Sequence, residues 1–411
     1  MQHAAHRSVW IILAALLLTP PAALSSDSQG AAGEPSPRVV EAGVRFGFDL
    51  YREVVKENEG RNIFLSPTSV AIALWMTANG AGGETLAAIQ KTLGAPAHGL
   101  GEINATMAAL LRDLQESDPR VQVHVANSLW ARKGLAFKKP FLDLNRTFYG
   151  AEVTALDFLD PSSPGVINDW VKERTRGRIP AIVDRIDPQH VLFLLNAIYF
   201  KGFWTKAFEP KETRSRPFTL PGGDVIGVPM MNQSGRYAHL AGDGFEAVSL
   251  TYGEGRFAVY LFLPAAGSSL DRFERALTAD AWSGWMGRFT QEEGSVALPR
   301  FKIEFEAQLK EALSSLGMAV AFDPLRADFG GMLDARELFI NQVKHKAFVE
   351  VNEEGTEAAA ATSVEIMLTS ARPAPFRIAF DRPFFFAIRD NRTGAVLFLG
   401  SVLDPRPPAG R

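Results

Sequence analysis

The chain has 411 residues, of which 46% are hydrophobic and 22% are charged, and its formal net charge is −3. These ordinary proportions exclude a disordered, collagenous or many-pass membrane protein, while the length predicts two or three domains at about 150 residues each. Nucleic-acid binders usually carry a basic excess, and 43 Lys and Arg against 46 Asp and Glu provide none. The absence of cysteine excludes disulfides, thiolate nucleophiles, zinc–thiolate sites and iron–sulfur clusters.

The start of the chain predicts export. Histidines and Arg7 precede an apolar run over 9–18, and prolines and small residues follow it. This pattern is typical of a secretory signal peptide, which we place at 1–25. The run is shorter than the roughly 20 residues that span a bilayer, which disfavours an uncleaved anchor. We therefore expect a secreted or periplasmic protein, free of the membrane after signal cleavage, with a disordered leader over 26–38.

Beyond the leader, the hydrophobic periodicity changes from helical to extended along the chain. Apolar residues at helical spacing predict helices at 44–56, 70–78, 84–93, 103–114 and 165–175. Runs of β-branched and aromatic residues predict strands at 191–200, 257–263, 295–305, 348–352, 384–388 and 396–402. Helices early and strands late favour an α+β fold with antiparallel-rich sheets. No linker-like stretch interrupts the sequence, so we predict a single domain over 39–411 despite the length.

No motif for enzymatic chemistry stands out in the sequence. Gly-x-Ser-x-Gly, His-Glu-x-x-His and Gly-x-x-x-x-Gly-Lys-Ser/Thr are all absent. The glycine-containing string at 242–247 leads into an alternating apolar run, so it indicates a turn between strands and not a nucleotide site. The histidines beyond the leader form no ligand pair at helical spacing. We therefore expect neither an enzyme nor a cofactor or metal site.

The segment 353–375, between two predicted strands, has an unusual pattern. Its four consecutive alanines have high helix propensity, so one interpretation is a surface helix or linker. Read with period two, it instead predicts a strand with one core face and one solvent face. Small or apolar residues occupy Thr356, Ala358, Ala360, Thr362, Val364, Ile366 and Leu368, and the alternate positions include Glu357, Ser363 and Glu365. A loop too long for a hairpin turn, yet patterned for a sheet, suggests two alternative states.

Four strings, in order along the chain, resemble the serpin family. They are NIFLSPTS at 62–69 leading to ANGAGGET at 78–85, NAIYFKGFW at 196–204, HKAFVEVNEEGTEAA at 345–359 and DRPFFFAI at 381–388. One string alone could arise by chance, but all four in the family's order are highly specific. The resemblance covers residues 44–404, which is almost the whole predicted domain.

The resemblance implies both a fold and an activity. Serpins pack helices on a large, mostly antiparallel sheet with smaller sheets beside it, and they expose a reactive-centre loop, here about residues 353–376. They are suicide-substrate inhibitors of serine, and sometimes cysteine, proteases. The protease acylates itself on the residue before the scissile bond, and the cut loop inserts into the main sheet and distorts the attached enzyme. We therefore expect a monomeric inhibitor whose partner is a serine protease.

The resemblance also assigns roles to individual residues. The hinge, where insertion of the loop begins, corresponds to Gly355, Thr356, Glu357, Ala358, Ala359, Ala360 and Ala361. Its small residues match inhibitory members, since non-inhibitory serpins often carry bulky or charged hinge residues. The shutter, a polar cluster under the central strands, corresponds to Ser66, Ser69, Asn196 and His345. The breach, where the loop first enters, corresponds to Trp204, Arg300 and Glu353, and we expect Glu353 to pair with Arg300.

Family spacing predicts the scissile bond fourteen residues beyond the hinge glycine, between Thr369 and Ser370. Thr369 suits elastase-like or subtilisin-like proteases. The loop is slightly longer than in typical members, so Leu368, which suits chymotrypsin-like enzymes, remains an alternative. Arg372 would suit trypsin-like enzymes, but the following Pro373 disfavours cleavage there.

Alternatives to these roles remain open. The shutter could be a satisfied buried network that only adds stability, and the breach pair could be a surface ion pair worth about 0–1 kcal/mol. The protein could also be a non-inhibitory serpin that acts as a carrier, a chaperone or a cleavable substrate. Serpins that glycosaminoglycans activate carry a basic helix. Heparin dependence is not expected here, because Arg112 is the only basic residue in the corresponding helical run over 103–116.

Overall fold

The computed structural model describes residues 33–115, 118–187, 190–334, 338–356 and 374–407. Residues Glu34–Arg411 form one compact unit. The predicted signal peptide, most of the leader, the hinge beyond Thr356 and the scissile-bond candidates lie outside the described residues, so those assignments stay predictions.

Nine α-helices occur in the described part of the chain. They are α1 (Pro37–Glu57), α2 (Pro67–Ala78), α3 (Gly83–Thr92), α4 (Leu100–Gln115), α5 (Lys139–Tyr149), α6 (Ser163–Arg174), α7 (Leu270–Ala276), α8 (Ala279–Met286) and α9 (Lys310–Leu313). The five helices predicted from periodicity correspond to α1–α4 and α6, whereas α5 and α7–α9 were not predicted, although α5 is clearly amphipathic. Helix α1 begins at Pro37, a residue that suits a first helical turn. The leader predicted over 26–38 therefore extends two residues into this helix.

The strands form two sheets. They are β1 (Ile63–Leu65), β2 (Val121–Arg132), β3 (Glu152–Leu156), β4 (Leu192–Phe203), β5 (Arg214–Thr219), β6 (Val225–Gly242), β7 (Phe245–Tyr252), β8 (Phe257–Pro264), β9 (Thr290–Pro299), β10 (Phe301–Gln308), β11 (Lys344–Asn352), β12 (Gly355–Thr356), β13 (Phe376–Ala379), β14 (Phe384–Asp390) and β15 (Val396–Val402). One sheet has nine strands in the order β1-β15-β14-β8-β7-β6-β9-β13, with β5 beside β6, and the other has six in the order β10-β11-β12-β4-β2-β3. Among the described pairs only β2–β3 and β9–β13 are parallel, so the predicted α+β fold with mostly antiparallel sheets is confirmed.

The single strand predicted over 295–305 is wrong. The chain leaves the nine-stranded sheet at Pro299, where β9 ends, and enters the six-stranded sheet at Phe301, where β10 begins. Arg300 lies between them and donates its backbone N–H to the carbonyl of Pro229 at 3.0 Å. Apolar residues occur on both sides of Pro299 and Arg300, and local pattern does not reveal that the two halves belong to different sheets. This crossing places Arg300 where the two sheets meet.

The hydrophobic core lies between the helices and both sheets. Helix α1 buries Phe48 and Tyr51, and α2 is buried around most of its circumference and packs on β4 and β15. On the other face of the six-stranded sheet, a smaller apolar cluster lies under α6, where Trp130 and Trp170 pack edge to face. The middle of this sheet is therefore covered on both faces. No helix within the described ranges is long and apolar enough to cross a membrane.

In the described residues, strand β12 covers Gly355 and Thr356 and lies between β4 and β11. Its register pairs are Gly355 with Phe203 and Asn352, and Thr356 with Gly202 and Val351. Within the described residues, no other pairing joins β4 to β11, although these strands have 12 and 9 residues. A longer β12 would therefore pair with both neighbours.

Candidate functional site

The hinge begins at a position that requires glycine. Gly355 has a φ of +148°, and a Cβ atom there would lie 2.0 Å from the carbonyl oxygen of Gly202. The next residue, Thr356, is 2% exposed, and its hydroxyl lies 3.0 Å from the hydroxyl of Tyr252. The first two hinge residues are thus already part of the six-stranded sheet.

Trp204 follows the end of β4 and contacts the turn that precedes the hinge. Its indole Nε1 donates to the carbonyl of Asn352 at 2.9 Å, and its backbone N–H donates to the carbonyl of Glu354 at 2.9 Å. The indole ring stacks on Tyr252 with the centroids 4.5 Å apart. One aromatic pair therefore positions the turn through Trp204 and the hinge through the hydroxyl of Tyr252.

Glu353 carries the buried charge of this region. Its Oε1 accepts from Arg300 Nε at 2.8 Å, from Arg300 Nη2 at 2.5 Å and from Thr213 Oγ1 at 2.5 Å. Burial would raise the pKa of Glu353, but the hydrogen bonds from Arg300 and Thr213 and the charge of Arg300 outweigh it and lower the pKa. Glu353 is only 5% exposed, whereas the Arg300 side chain is 46% exposed, so one partner of the ion pair is buried and the other reaches solvent. The three residues assigned to the breach lie together around the turn.

The four residues assigned to the shutter lie in contact at the N-terminus of α2. The Ser66 hydroxyl caps α2 by accepting from the Ser69 N–H at 3.2 Å, and the Ser66 N–H donates to His345 Nε2 at 3.2 Å. The Ser69 hydroxyl donates to Oδ1 of Asn196. Burial lowers the pKa of His345 to about 4, so the imidazole is neutral and able to accept. The cluster joins α2 to β4 through Asn196 and to β11 through His345.

The shutter continues into a buried network that the sequence did not indicate. Asn196 donates to Asn127 at 2.6 Å, and Asn127 donates to the carbonyl of Tyr149 at 2.7 Å. The Tyr149 hydroxyl donates to Asn104 at 2.7 Å, and Asn104 donates to Asn79 at 2.8 Å. The network therefore links β4 and β2 to α5, to α4 and to the end of α2. A polar residue among apolar ones is the only sequence signal, and it does not identify partners.

The remaining assigned residues lie outside the described part of the chain. They are the hinge residues from Glu357 to Ala361, the bond between Thr369 and Ser370, and the alternatives at Leu368 and Arg372. Within the described ranges, no group of His, Asp and Glu is arranged to hold a metal ion. The described part of the site consists of hydrogen bonds and one ion pair that join its strands, the turn before the hinge and helix α2.

Comparison with known proteins gives a consistent result. The family model described as serpin (serine protease inhibitor) matches residues 41–405. An uncharacterised serpin-like protein of Thermococcus kodakarensis is 34% identical over 91% of this chain and 87% of its own length. The leukocyte elastase inhibitor of Sus scrofa is 36% identical over 89% of this chain and 98% of its own. The native crystal structure of the thermophilic serpin tengpin is 31% identical with a TM-score of 0.81, covering 89% of this chain and 94% of that one.

The ion pair between buried Glu353 and half-exposed Arg300 is tested by Glu353→Gln. Glutamine removes the charge that Arg300 faces, so we expect a loss of about 2 kcal/mol in unfolding free energy at neutral pH. The lowered pKa of Glu353 means that its contribution is present above the unfolded carboxyl pKa of about 4.3 and is lost as the pH falls through the folded value. The variant and the parent should therefore converge in acid when urea unfolding is measured. In the control Glu84→Gln, an exposed partner of Arg326, the loss should stay below about 1 kcal/mol; equal losses in both variants would contradict the role of burial.

The neutral state of His345 is tested by His345→Asn. Because its folded pKa is about 4 against an ordinary 6.5, the unfolded chain takes up a proton first as the pH falls. About 3 kcal/mol of stability should be lost across that window in the parent. Asparagine can accept the Ser66 N–H without titrating, so the variant should lose about 3 kcal/mol less, measured by urea unfolding. His98→Asn, at the surface beside Glu102, serves as the control, and an unchanged pH slope in His345→Asn would refute a neutral buried imidazole.

The extended network is tested by Asn127→Ala. This change leaves the Asn196 amide buried without its acceptor, so we expect a loss of about 1–3 kcal/mol in unfolding free energy. The matched control is Gln291→Ala, at an exposed strand position, where the loss should be a few tenths of a kcal/mol. If urea unfolding gives the same loss for both, the network contributes no more than surface contacts.

Proposed function

Because this chain belongs to the serpin family of serine protease inhibitors, we propose that it inhibits a protease by trapping it as a covalent complex. The observation that carries this proposal is strand β12. Two hinge residues already pair with β4 and β11, and the chain that follows them is patterned to continue the strand. Serpins are inhibitors and not enzymes, so the chemistry is supplied by the target.

The proposed reaction begins as ordinary proteolysis of the loop. The serine oxygen of the protease attacks the carbonyl carbon before the scissile bond, the C–N bond breaks, and the amine leaves with a proton. The residue that remains is esterified to the protease. The freed loop then extends β12 and carries the enzyme with it before water hydrolyses the ester.

The register of β12 specifies what each inserted residue would meet. Continued from Gly355 and Thr356, an inserted strand would have Ala358 opposite Phe200 and Val349, Ala360 opposite Ile198 and Ala347, and Thr362 opposite Asn196 and His345. Alanine adds little volume beside large neighbours. The hydroxyl of Thr362 would reach the shutter, where it can replace hydrogen bonds that are lost when β4 and β11 part. Polar groups in the shutter therefore serve both states in this proposal.

The energetics of the proposed insertion favour the longer strand. The even-numbered positions from Thr356 to Leu368 carry no charge, so no unpaired charge is buried, which would cost several kcal/mol. Each apolar side chain that enters contributes about 25 cal/mol per Å² removed from water. New backbone pairs with β4 and β11 add to this.

The target class follows from the residue before the scissile bond. Thr369 favours elastase-like or subtilisin-like proteases, and Leu368 would favour chymotrypsin-like ones. The similar porcine protein is named as an inhibitor of leukocyte elastase, which supports the first group. We further propose that the chain acts outside the cytoplasm after removal of 1–25. Expression of the full chain in a secreting host, with mass analysis of the exported product, should give an N-terminus near Ser26, and a retained start would oppose this.

The decisive experiment is incubation with elastase, subtilisin, chymotrypsin and trypsin, followed by denaturing gels and mass spectrometry. We expect an SDS-stable complex heavier than either partner and a released peptide that starts at Ser370. A peptide that starts elsewhere in the loop would keep the mechanism and move the bond. Cleavage by every enzyme without a complex, and without a rise in melting temperature after cleavage, would favour a non-inhibitory serpin.

Loop insertion is tested separately by Ala358→Arg. In the inserted strand, position 358 would lie opposite Phe200 and Val349, and a buried guanidinium there would slow the insertion, so the ester should be hydrolysed before the protease is trapped. We expect the complex on gels to fall at least about tenfold, with cleaved protein in its place. Thr219→Arg, at an exposed strand position, should leave trapping unchanged. Normal trapping by Ala358→Arg would contradict insertion in this register.

A further inference from the structure

A second cluster lies around Phe376, the first residue of β13, which is the strand that follows the loop. The Phe376 ring stacks on the imidazole of His239 with centroids 4.1 Å apart and planes within 5°. The rings of Tyr237 and Phe376 pack edge to face, with their centroids 6.2 Å apart. Gly294 lies under the ring, where a Cβ atom would be 2.3 Å from Phe376 Cδ1. Strands β6 and β9 therefore form a fitted seat for this side chain.

His239 is held between two carboxylates on neighbouring strands. Its Nδ1 lies 3.0 Å from Oε2 of Glu292 on β9, and its Nε2 lies 2.9 Å from Oε1 of Glu246 on β7. A neutral imidazole has one N–H, so only the imidazolium donates to both carboxylates at once. The His239 side chain is 7% exposed, which limits replacement of a lost partner by water.

Tyr237 and Glu292, which also face His239, keep their protonation states near neutral pH. Burial raises the pKa of Tyr237, so its hydroxyl stays protonated. Hydrogen bonds from Thr290 and from His239 lower the pKa of Glu292 against the effect of desolvation, so it stays ionised. Strand β13 presents Phe376 here, and the adjacent Arg377 lies on the opposite face. Histidine is the residue type whose charge ordinarily changes between mild acid and mild alkali.

We propose that His239 is a pH-sensitive clamp on β13, in which the imidazolium holds Phe376 and its strand, and loss of the proton loosens them. Deprotonation leaves one carboxylate facing a nitrogen lone pair and removes the cation from the face of the phenyl ring. This contact adds to the buried Ile378 in holding a strand that has only four residues and, in the described part of the chain, pairs with β9 alone at the edge of the sheet.

The clamp has a consequence for the loop that rests on the proposed function. The loop joins β12 to β13, so Glu353 and Trp204 act at its start and His239 at its end. Release of β13 at higher pH would free the C-terminal end of the loop from the nine-stranded sheet. This release would shorten the lifetime of the inhibitory form. The clamp itself does not depend on inhibition and is measured without a protease.

Hydrogen–deuterium exchange of the whole protein tests the clamp directly. Protection factors for the amides of 376–379, corrected for intrinsic exchange, should fall about tenfold between about pH 5.5 and about pH 8.5. His239→Phe keeps a ring against Phe376 but cannot titrate, so its protection should not change with pH. His98→Asn, which alters another histidine beside a glutamate, should retain the fall. Flat protection in the parent, or an undiminished fall in His239→Phe, would overturn the clamp.

A milder pair of variants covers the case in which His239→Phe does not fold. The Glu246 side chain is 37% exposed and that of Glu292 is 47% exposed. Glu246→Gln and Glu292→Gln each remove one of the two carboxylate charges that face the imidazolium. Each should lower the protection of β13 at about pH 5.5 and reduce its pH dependence by about half. Neither change should alter exchange in β11, which lies in the other sheet. Protection equal to that of the parent in both variants would contradict the proposal.

Discussion

The pairing of β12 with both β4 and β11 is the constraint on which the rest of the structure depends. A strand needs partners along its length, and in the described residues β12 gives these two strands a common partner only at Gly355 and Thr356. The contacts made by Gly355, by Thr356 and by the turn before them hold β12 in register. Gly355 allows the close approach to Gly202, and the hydroxyls of Thr356 and Tyr252 meet behind it.

Polar contacts, together with the apolar packing of α2 on β4, join the elements that border β12. Arg300 and Glu353 connect the two sheets at the turn, and His345, Ser66, Ser69 and Asn196 connect β11 and β4 through α2. Each contact is worth a few kcal/mol at most, because folding exchanges it for hydrogen bonds with water. Such contacts can be exchanged for others when strands move, whereas a fully packed apolar seam could not part without exposing its surface. The His239 cluster adds a contact of the same kind at β13, with a charge that depends on pH.

Much of the fold could be predicted from local pattern. Helices such as α1 and α4 were evident because their apolar residues repeat at helical spacing, and strands such as β8 and β14 because they are β-branched and aromatic between turns. Errors arose where the same pattern has two outcomes. The run over 295–305 was predicted as one strand although Pro299 and Arg300 lie inside it, and only the sheet order shows that the chain changes sheets there. Asn127 and Asn104 look like isolated polar residues until the strands and helices bring their amides together.

The sequence by itself determined the family, the fold class and the residue types of the hinge, because these depend on strings and on periodicity within one segment. It also determined that the even-numbered positions after Gly355 can be buried, since none of them carries a charge. Only the tertiary structure decided which residues meet. Residues that are far apart in the chain meet in the stack of Trp204 on Tyr252, in the pairing of β12 with β4, in the buried amide network and at the His239 clamp. Contacts at such separations follow from sheet order and register, which local pattern does not encode.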